Sequence, residues 1–294
     1  MRWDQLPTPV RDAVVGCLGP VLGAEDAITG STADLAAVLR LADGTRVFVK
    51  AVAGVSRRMR WLRNEIAGNH AAADLAPPVL FHTDLDVPDG EHWLIVGFTH
   101  LPGRPASLAP DSPDLPLIAD ALEHLATLPA TPPIRPLRDR WAPTDWWTRV
   151  ADLDPGLVAD LDLVALTRLT QHVPELVDGD RLTHTDLHGD QIRIGHDGTL
   201  HIIDWGFPAA AAPWVDTAFL TLRLIEAGHT PTSAEAWARD RATLTGVNDA
   251  TLTAFTAYLA GLWTHIALTG GHGSPRRAQL AREHLTRRLN SIHP

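Results

Sequence analysis

Between Thr183 and Gly206 the chain carries more polar chemistry than a hydrophobic core accepts unaided. The stretch reads Thr-His-Thr-Asp-Leu-His-Gly-Asp-Gln-Ile-Arg-Ile, turns at His196-Asp197-Gly198, and continues Leu-His-Ile-Ile-Asp-Trp-Gly. Two short apolar runs, Ile192 to Ile194 and Leu200 to Ile203, flank an Asp-Gly turn and predict a hairpin with a polar cluster at each outer end. Closing that hairpin brings Asp186, His188, Asp190 and Gln191 toward Asp204. Carboxylate, imidazole and amide groups crowded in this way stay folded only if a cation, a substrate or one another satisfies them.

A second constraint comes from lysine usage. Lys50 is the only lysine among 25 basic Lys and Arg residues. The abundance of Ala, Arg, Pro and Gly points to a coding bias that replaces lysine wherever arginine serves, so position 50 calls for a compact ammonium instead of a planar guanidinium. It lies in Val47-Phe48-Val49-Lys50-Ala51-Val52, where strand alternation puts the ammonium on the face shared by Phe48 and Val52. Such a position needs an anionic partner. The helix expected from Ser56, its N-cap, to about Leu75 supplies one. Met59, Leu62 and Ile66 form an apolar stripe, and Glu65 stands at its edge, so a Lys50–Glu65 ion pair is expected.

The same run of sequence predicts a small antiparallel sheet. Residues up to about Ala27 read as helical. The loop Thr29-Gly30-Ser31-Thr32 follows, then strands at Leu35 to Leu41, Val47 to Val52, Val79 to His82 and Trp93 to Phe98. Pro102 and Gly103 stop the last strand, which places a domain boundary at 101/102 within a connector spanning 99–104. Beyond Asp111 the pattern turns helical. Helices are expected at Leu115 to Leu128, Asp145 to Ala151, Pro155 to His172, Pro213 to Ala227, Ser233 to Leu244, Thr251 to Leu268 and Ser274 to Leu289. The fold class is therefore α+β, a small β-rich unit over residues 1–101 and a larger helical one over 102–294.

Composition excludes several function classes. With one cysteine, Cys17, there is no internal disulfide and no cysteine-based zinc site, and the thiol is expected to pack as a small apolar residue. No run of eighteen apolar residues occurs, and Met-Arg-Trp-Asp-Gln-Leu-Pro lacks the apolar core of a secretory signal, so a cytoplasmic protein with no membrane partner is expected. A net charge of −10 argues against a nucleic-acid partner and suits a cationic small molecule.

Two chemistries compete for the polar stretch. In one, His184, Asp186, His188 and Asp190 alternate along a strand and bind zinc or a metal pair for hydrolysis. In the other, Asp186 is a general base while Gln191 and Asp204 hold Mg2+ on a nucleotide. Phosphoryl transfer needs a lysine on the phosphates, an oxygen-ligated cation and a carboxylate that orients the acceptor hydroxyl. The second reading gives Lys50, Glu65 and the loop at Gly30 a purpose; the first leaves them without one.

His184-Thr185-Asp186-Leu187-His188-Gly189-Asp190-Gln191-Ile192 resembles the catalytic loop of the aminoglycoside phosphotransferase and choline kinase-like family, His-Gly-Asp-Leu-His-Pro-Gly-Asn followed by an apolar residue. Ile202-Ile203-Asp204-Trp205-Gly206 resembles its metal-binding segment, the counterpart of the Asp-Phe-Gly motif of protein kinases. The resemblance implies a two-lobed protein-kinase-like fold and Mg2+-dependent transfer of the γ-phosphoryl group of ATP or GTP to a small-molecule hydroxyl. Asp186 would be the catalytic aspartate, within a loop at 184–191. Gln191 and Asp204 would be the metal ligands, the latter within 202–206. Lys50 and Glu65 would position the phosphates, with Ser31, Thr32 and the loop backbone contacting them. Phe98 would stand beside the adenine, Thr99 and Leu101 would form the hinge, and Asp216 would brace the catalytic loop. Acceptors in this family include aminoglycosides, other antibiotics, choline and homoserine, which brings antibiotic resistance into scope; the acceptor here is expected near Asp145, Trp205 and Glu226. This chain departs from the pattern at Gln191, which replaces asparagine, at Asp190, which replaces glycine and could add a carboxylate oxygen, and in having a single glycine in the phosphate loop. A non-catalytic nucleotide- or ligand-binding protein of the same fold is the alternative.

Overall fold

The computed structural model describes residues 1–27, 33–88, 90–142, 144–270 and 274–292. In chain order it contains α1 (Thr8–Leu18), β1 (Val21–Asp26), β2 (Leu35–Leu41), β3 (Arg46–Ala53), α2 (Arg57–Ala71), β4 (Val79–Asp86), β5 (His92–Thr99) and β6 (Arg104–Pro105). These are followed by α3 (Leu115–Leu125), α4 (Leu137–Trp141), α5 (Trp146–Leu153), α6 (Leu163–Thr170), α7 (Val173–Leu176), β7 (Arg181–Thr183), β8 (Ile192–Ile194), β9 (Leu200–Ile202) and β10 (Ala209–Ala211). Four helices finish the chain: α8 (Val215–Glu226), α9 (Pro231–Arg239), α10 (Asp249–Leu268) and α11 (Pro275–Ile292). The chain divides into two compact units, Met1–Ala106 with Gly189–Pro208, and Ser107–His188 with Ala209–Pro294.

The first unit is built on a five-stranded antiparallel sheet in the order β1-β2-β3-β5-β4. Alternation along the central strands feeds two separate cores. Val47, Val49 and Ala51 of β3, with Trp93 and Ile95 of β5, pack against Leu6, Val10 and Val14 at the N-terminus and in α1. On the opposite face Val52, Leu94, Val96 and Phe98 pack against Met59 and Leu62 of α2. Ser56 caps α2 by accepting a hydrogen bond from the Met59 amide. Burying each of these large apolar side chains contributes about 1.5–3 kcal/mol, so two filled faces hold the central strand β3, and Lys50 with it, in fixed register.

A smaller sheet in the order β6-β8-β9 completes this unit. Its hairpin is the one expected from the Asp197-Gly198 turn. Asp197 accepts the Thr199 amide, and Gly198 takes φ +83°, a conformation only glycine adopts readily. The division expected at 101/102 left residues 189–208 with the helical half, whereas packing groups them with the sheet. The cause is β6: Arg104 pairs with Ile194, the Ala106 amide bonds the Ile192 carbonyl, and Arg193 donates to the Gly103 carbonyl. At Gly103, φ is +128° and a Cβ would collide with the Ile194 carbonyl, so this seam requires glycine.

The second unit is mainly helical, with β7 and β10 forming a two-stranded antiparallel pair. Its apolar centre is aromatic: Trp141, Phe219, Phe255 and Tyr258 pack around one another from α4, α8 and α10.

Several local expectations are corrected. Residues 21–26 are strand, not helix, because Gly19 ends α1 at φ +85° and the following residues pair with β2. Cys17 is exposed instead of packed as a small apolar residue. The segment 155–172 is a single turn followed by α6, restarted by Asp162 accepting the Ala165 amide. Among the described residues no helix is long and apolar enough to cross a membrane.

Candidate functional site

In the sheet unit the Lys50 ammonium meets Glu65, the partner expected for it, and also Asp204, which was expected as a metal ligand. Nζ donates to Oε1 and Oε2 of Glu65 at 2.8 and 2.9 Å and to Oδ1 of Asp204 at 2.9 Å. Lys50 and Glu65 are almost fully buried, while the Asp204 side chain is 44% exposed. Burial alone would push the lysine pKa down, but the two carboxylates outweigh it and the ammonium is held charged. Glu65 is pushed up to about 7 by burial, against the attraction of Lys50 and with Asp204 adding to the rise.

Asp204 reaches this position through an unusual backbone. Its φ is +65°, a left-handed conformation that aspartate tolerates better than most residues but that needs support. Support comes from one face of α2. Asn64 donates to the Gly206 carbonyl, Trp61 packs on Phe207, and Gly68 lets Trp205 approach so closely that a Cβ there would lie 2.6 Å from the Trp205 Cβ. Glu65 belongs to the same helix, so α2 positions both carboxylates on the lysine. Trp205 is fully buried and donates Nε1 to the Ile202 carbonyl. It is a structural anchor and lines no acceptor site.

Gln191 is joined to this segment through its backbone, its carbonyl accepting the Ile203 amide at 2.8 Å. Its side chain is buried, and Oε1 has no hydrogen-bond partner among the described residues. A desolvated amide oxygen without a donor is costly, about 1–3 kcal/mol, and a cation relieves it. The donor set of amide oxygen and Asp204 carboxylate suits a hard, oxygen-seeking ion such as Mg2+. Asp190 is exposed.

The remaining donor-side expectations fall out unevenly. Ser31 and Thr32 lie outside the described residues. Phe98 is buried in the core facing α2, its ring 6.5 Å from Phe48. The Thr99 amide already donates to the Pro78 carbonyl. Of these two, only the Leu101 amide and carbonyl are without a hydrogen-bond partner among the described residues.

In the helical unit, Asp216 of α8 braces the turn at His184 and Thr185. Its two oxygens accept the amides of His184 and Thr185 at 2.7 and 2.8 Å. Burial raises its pKa, opposed by His184 and by those amides. The bond to Thr185 stabilises φ +61° in a β-branched residue, and Arg140 adds a hydrogen bond of 2.7 Å to Thr185 Oγ1. Burial pushes Arg140 down to about 10, against the pull of Tyr258, Asp216 and Asp186. Asp186, directly after this strained residue, is 40% exposed and receives a hydrogen bond on Oδ1 from Nη2 of the buried Arg223, at 3.1 Å.

The strained turn also removes the hydrolase reading's premise. Residues 184–188 are not strand, so alternation does not put His184, Asp186 and His188 on one face. Among the described residues no group of three or more His, Cys, Asp or Glu side chains is placed to hold a metal. Asp145, expected near the acceptor, is the N-cap of α5: its oxygens accept the Trp147 and Thr148 amides and the Thr148 and Thr167 hydroxyls. Glu226 accepts from both Arg223 and Arg277.

Sequence reasoning missed Arg223, Arg140, Asn64 and Gly68. Arg223 had a signal, a single charge within the apolar run Ala218 to Ile225. The others had none, because their partners are distant in sequence.

No family model matches the chain, and no curated protein sequence does. Solved structures do match. The choline kinase LicA from Streptococcus pneumoniae superposes with a TM-score of 0.61 at 15% identity, covering 95% of this chain and 98% of that one. The aminoglycoside phosphotransferase APH(4)-Ia, in a ternary complex with ADP and hygromycin B, gives 0.60 at 13% identity, covering 98% and 100%. An aminoglycoside phosphotransferase from Alicyclobacillus acidocaldarius gives 0.57 at 16% identity, covering 98% and 96%. The chain therefore has the α+β, protein-kinase-like fold of the aminoglycoside phosphotransferase and choline kinase structures.

Proposed function

We propose that the protein is a small-molecule O-phosphotransferase that moves the γ-phosphoryl group of ATP or GTP to a hydroxyl. The observation that carries this reading is the Lys50 ammonium held on Glu65 and on Asp204, next to a left-handed turn that only α2 makes tenable. Glu65 fixes the ammonium from the buried side, and the bond to the half-exposed Asp204 is the one a phosphate oxygen would take over when Asp204 turns to a metal, so the charge needs little repositioning for the reaction.

Lys50 contacts the donor phosphates, and Glu65 keeps its ammonium in place. Gln191 and Asp204 would hold Mg2+, which supplies charge neutralisation on the phosphate oxygens. Leu101 offers its backbone to the base, with Phe98 supporting from the core and Thr99 fixing the strand end; Ser31 and Thr32 are proposed phosphate contacts. Asp186 accepts the acceptor's hydroxyl proton as that oxygen forms its bond to the γ-phosphorus. The bond from the γ-phosphorus to the bridging oxygen breaks, and ADP or GDP leaves with the electron pair. Arg223 keeps Oδ1 of Asp186 occupied and so orients the carboxylate, while Asp216 and Arg140 fix the turn before it.

The complexes of the neighbours support this reading: LicA has been crystallised with AMP, and APH(4)-Ia with ADP and hygromycin B. The reading is tested by thermal shift with ATP and GTP, each with Mg2+ and with EDTA. A rise in Tm that requires both nucleotide and Mg2+ is expected. An identical rise in EDTA would favour the non-catalytic binding protein, and no rise with either nucleotide would remove the proposal.

A further inference from the structure

The acceptor's charge is written in the neighbourhood of Asp186, and its sign is opposite to the one the acidic composition suggests. A polyamine needs carboxylates that are not already neutralised. Asp145 has both oxygens engaged in capping α5 and bonding Thr148 and Thr167. Glu226 is shared by two guanidiniums, Nη1 of Arg223 at 3.1 Å and Nε of Arg277 at 3.0 Å. The two arginines keep Glu226 ionised: burial would raise its pKa, but Arg277 and then Arg223 pull it below the ordinary value. Neither carboxylate is available to a cation.

What remains open is decided by unused donors. Arg223 and Arg277 balance Glu226 and Asp186 in charge, so the sign a ligand meets depends on which group still has hydrogen-bonding capacity. Arg223 directs Nη2 to Asp186 and Nη1 to Glu226, whereas among the described residues Arg277 has no second acidic partner. Its Nε is fixed by Glu226 and its guanidinium lies over the Trp263 ring, 5.8 Å from the centroid, so the group is held from one edge and one face. The terminal nitrogens, Nη1 and Nη2, have no hydrogen-bond partner among the described residues, and the side chain is 21% exposed. A guanidinium immobilised at Nε with its Nη1–Nη2 edge open is a preformed fork for two oxygens of one anion. The contact chain from Asp186 through Arg223 and Glu226 to Arg277, three hydrogen bonds of 3.1, 3.1 and 3.0 Å and two guanidinium groups, keeps that fork within about 14 Å of the base.

We infer that the acceptor is a hydroxyl compound bearing an oxyanion, carboxylate or phosphate, which docks on the terminal nitrogens of Arg277 while its hydroxyl reaches Asp186. The inference rests on the phosphotransferase reading and adds the acceptor class to it. Arg277 is thus a specificity residue. It neither accepts the proton nor touches the transferred group.

The test is an ADP-release screen of the whole protein with ATP and Mg2+ against three sets of hydroxyl compounds of similar size: hydroxycarboxylates and sugar phosphates, neutral sugars and polyols, and amino alcohols and aminoglycosides. The best acceptor is expected in the anionic set, and the carboxylate and phosphate arms tell the two oxyanions apart. Arg277→Gln, which removes the charge and the terminal nitrogens but leaves a polar side chain, should raise the KM of that acceptor at least roughly tenfold, well beyond any change in kcat, because the lost contact is made equally in ground and transition states. Arg277→Glu should go further and favour amino alcohols. If the best wild-type acceptor is neutral or cationic, or if Arg277→Gln leaves the KM of an anionic acceptor unchanged, the inference is wrong while the phosphotransferase stands. Absence of acceptor-dependent ADP in all three sets would overturn the phosphotransferase reading and this inference with it.

Discussion

Lys50 Nζ lies 2.9 Å from Oδ1 of Asp204, a residue 154 positions later in the chain. With the paired bonds to Glu65, this contact gives one ammonium two carboxylates and leaves a single small charge at their meeting point. A guanidinium cannot take its place. It is longer and planar, it would have to satisfy five donors instead of three, and the space around Lys50 is closed by Phe48, Val52 and α2. Lys50→Arg is therefore expected to lower kcat/KM for the nucleotide by roughly tenfold or more despite the conserved charge. Steady-state kinetics on folded variant protein checks this; full activity would refute the inference drawn from the single lysine.

The unpartnered oxygen of Gln191 gives a prediction with two readouts. Gln191→Met keeps the shape and removes the unsatisfied acceptor, so stability should be unchanged or higher by about 1 kcal/mol. If Oε1 is a metal ligand, the same variant should require roughly tenfold more Mg2+ for nucleotide binding. Denaturant unfolding and a Mg2+ titration at fixed ATP measure the two. A stabilised variant with unaltered Mg2+ dependence would mean the buried oxygen serves no ion.

Gly68 and Gly16 should respond oppositely to the same substitution. Glycine to alanine within a helix ordinarily gains about 1 kcal/mol, and Gly16 of α1 has open space where a Cβ would go. At Gly68 the new Cβ would meet the Trp205 Cβ, and overpacking of this kind costs about 1–3 kcal/mol. Gly16→Ala should raise Tm. Gly68→Ala should not, and by moving the segment around Asp204 it should also weaken Mg2+–nucleotide binding. Equal stabilisation by both would show that the packing of α2 on Trp205 does not control the site.

Stability should also depend on a histidine remote from this chemistry. His284 of α11 is buried beside Glu235, Arg287 and Arg288, and burial pushes its pKa down to about 4, Glu235 opposing and the arginines assisting. Its ordinary value is 6.5. Between these values the unfolded chain binds a proton that the folded chain refuses, so stability present above pH 6.5 is lost as pH falls toward 4. The contribution is on the order of 3 kcal/mol, and His284→Gln should flatten the acid side of the stability profile. Urea titrations from pH 7 to pH 4.5 would expose a profile that does not flatten.

Particular residues show what sequence could and could not reveal. Lys50 and Glu65 were readable because each follows from a local period, strand alternation for one and a helical stripe for the other, and the pair meets as those periods require. The hairpin at 192–202 was readable from its turn. Residues 21–26 were not, since an edge strand is defined by the partner it finds. Asn64 and Gly68 act on residues 142 and over a hundred positions away, beyond the reach of any local pattern, and the lone charge in an apolar run that marked Arg223 gave no hint of its partner 37 positions away. Asp145 misled for the reverse reason: an aspartate before a helix is a cap by default, and three hydrogen bonds within three residues, joined by one from Thr167, make it one.

The central claim is that Asp186 is the base of a phosphoryl transfer, and one comparison tests it most directly: acceptor-dependent ADP release by wild type and by Asp186→Asn, with nucleotide affinity measured in parallel. The account predicts a fall in turnover of roughly a hundredfold or more, the contribution of a positioned general base, with nucleotide Kd within about threefold of wild type. Turnover by Asp186→Asn close to the wild-type rate would contradict it.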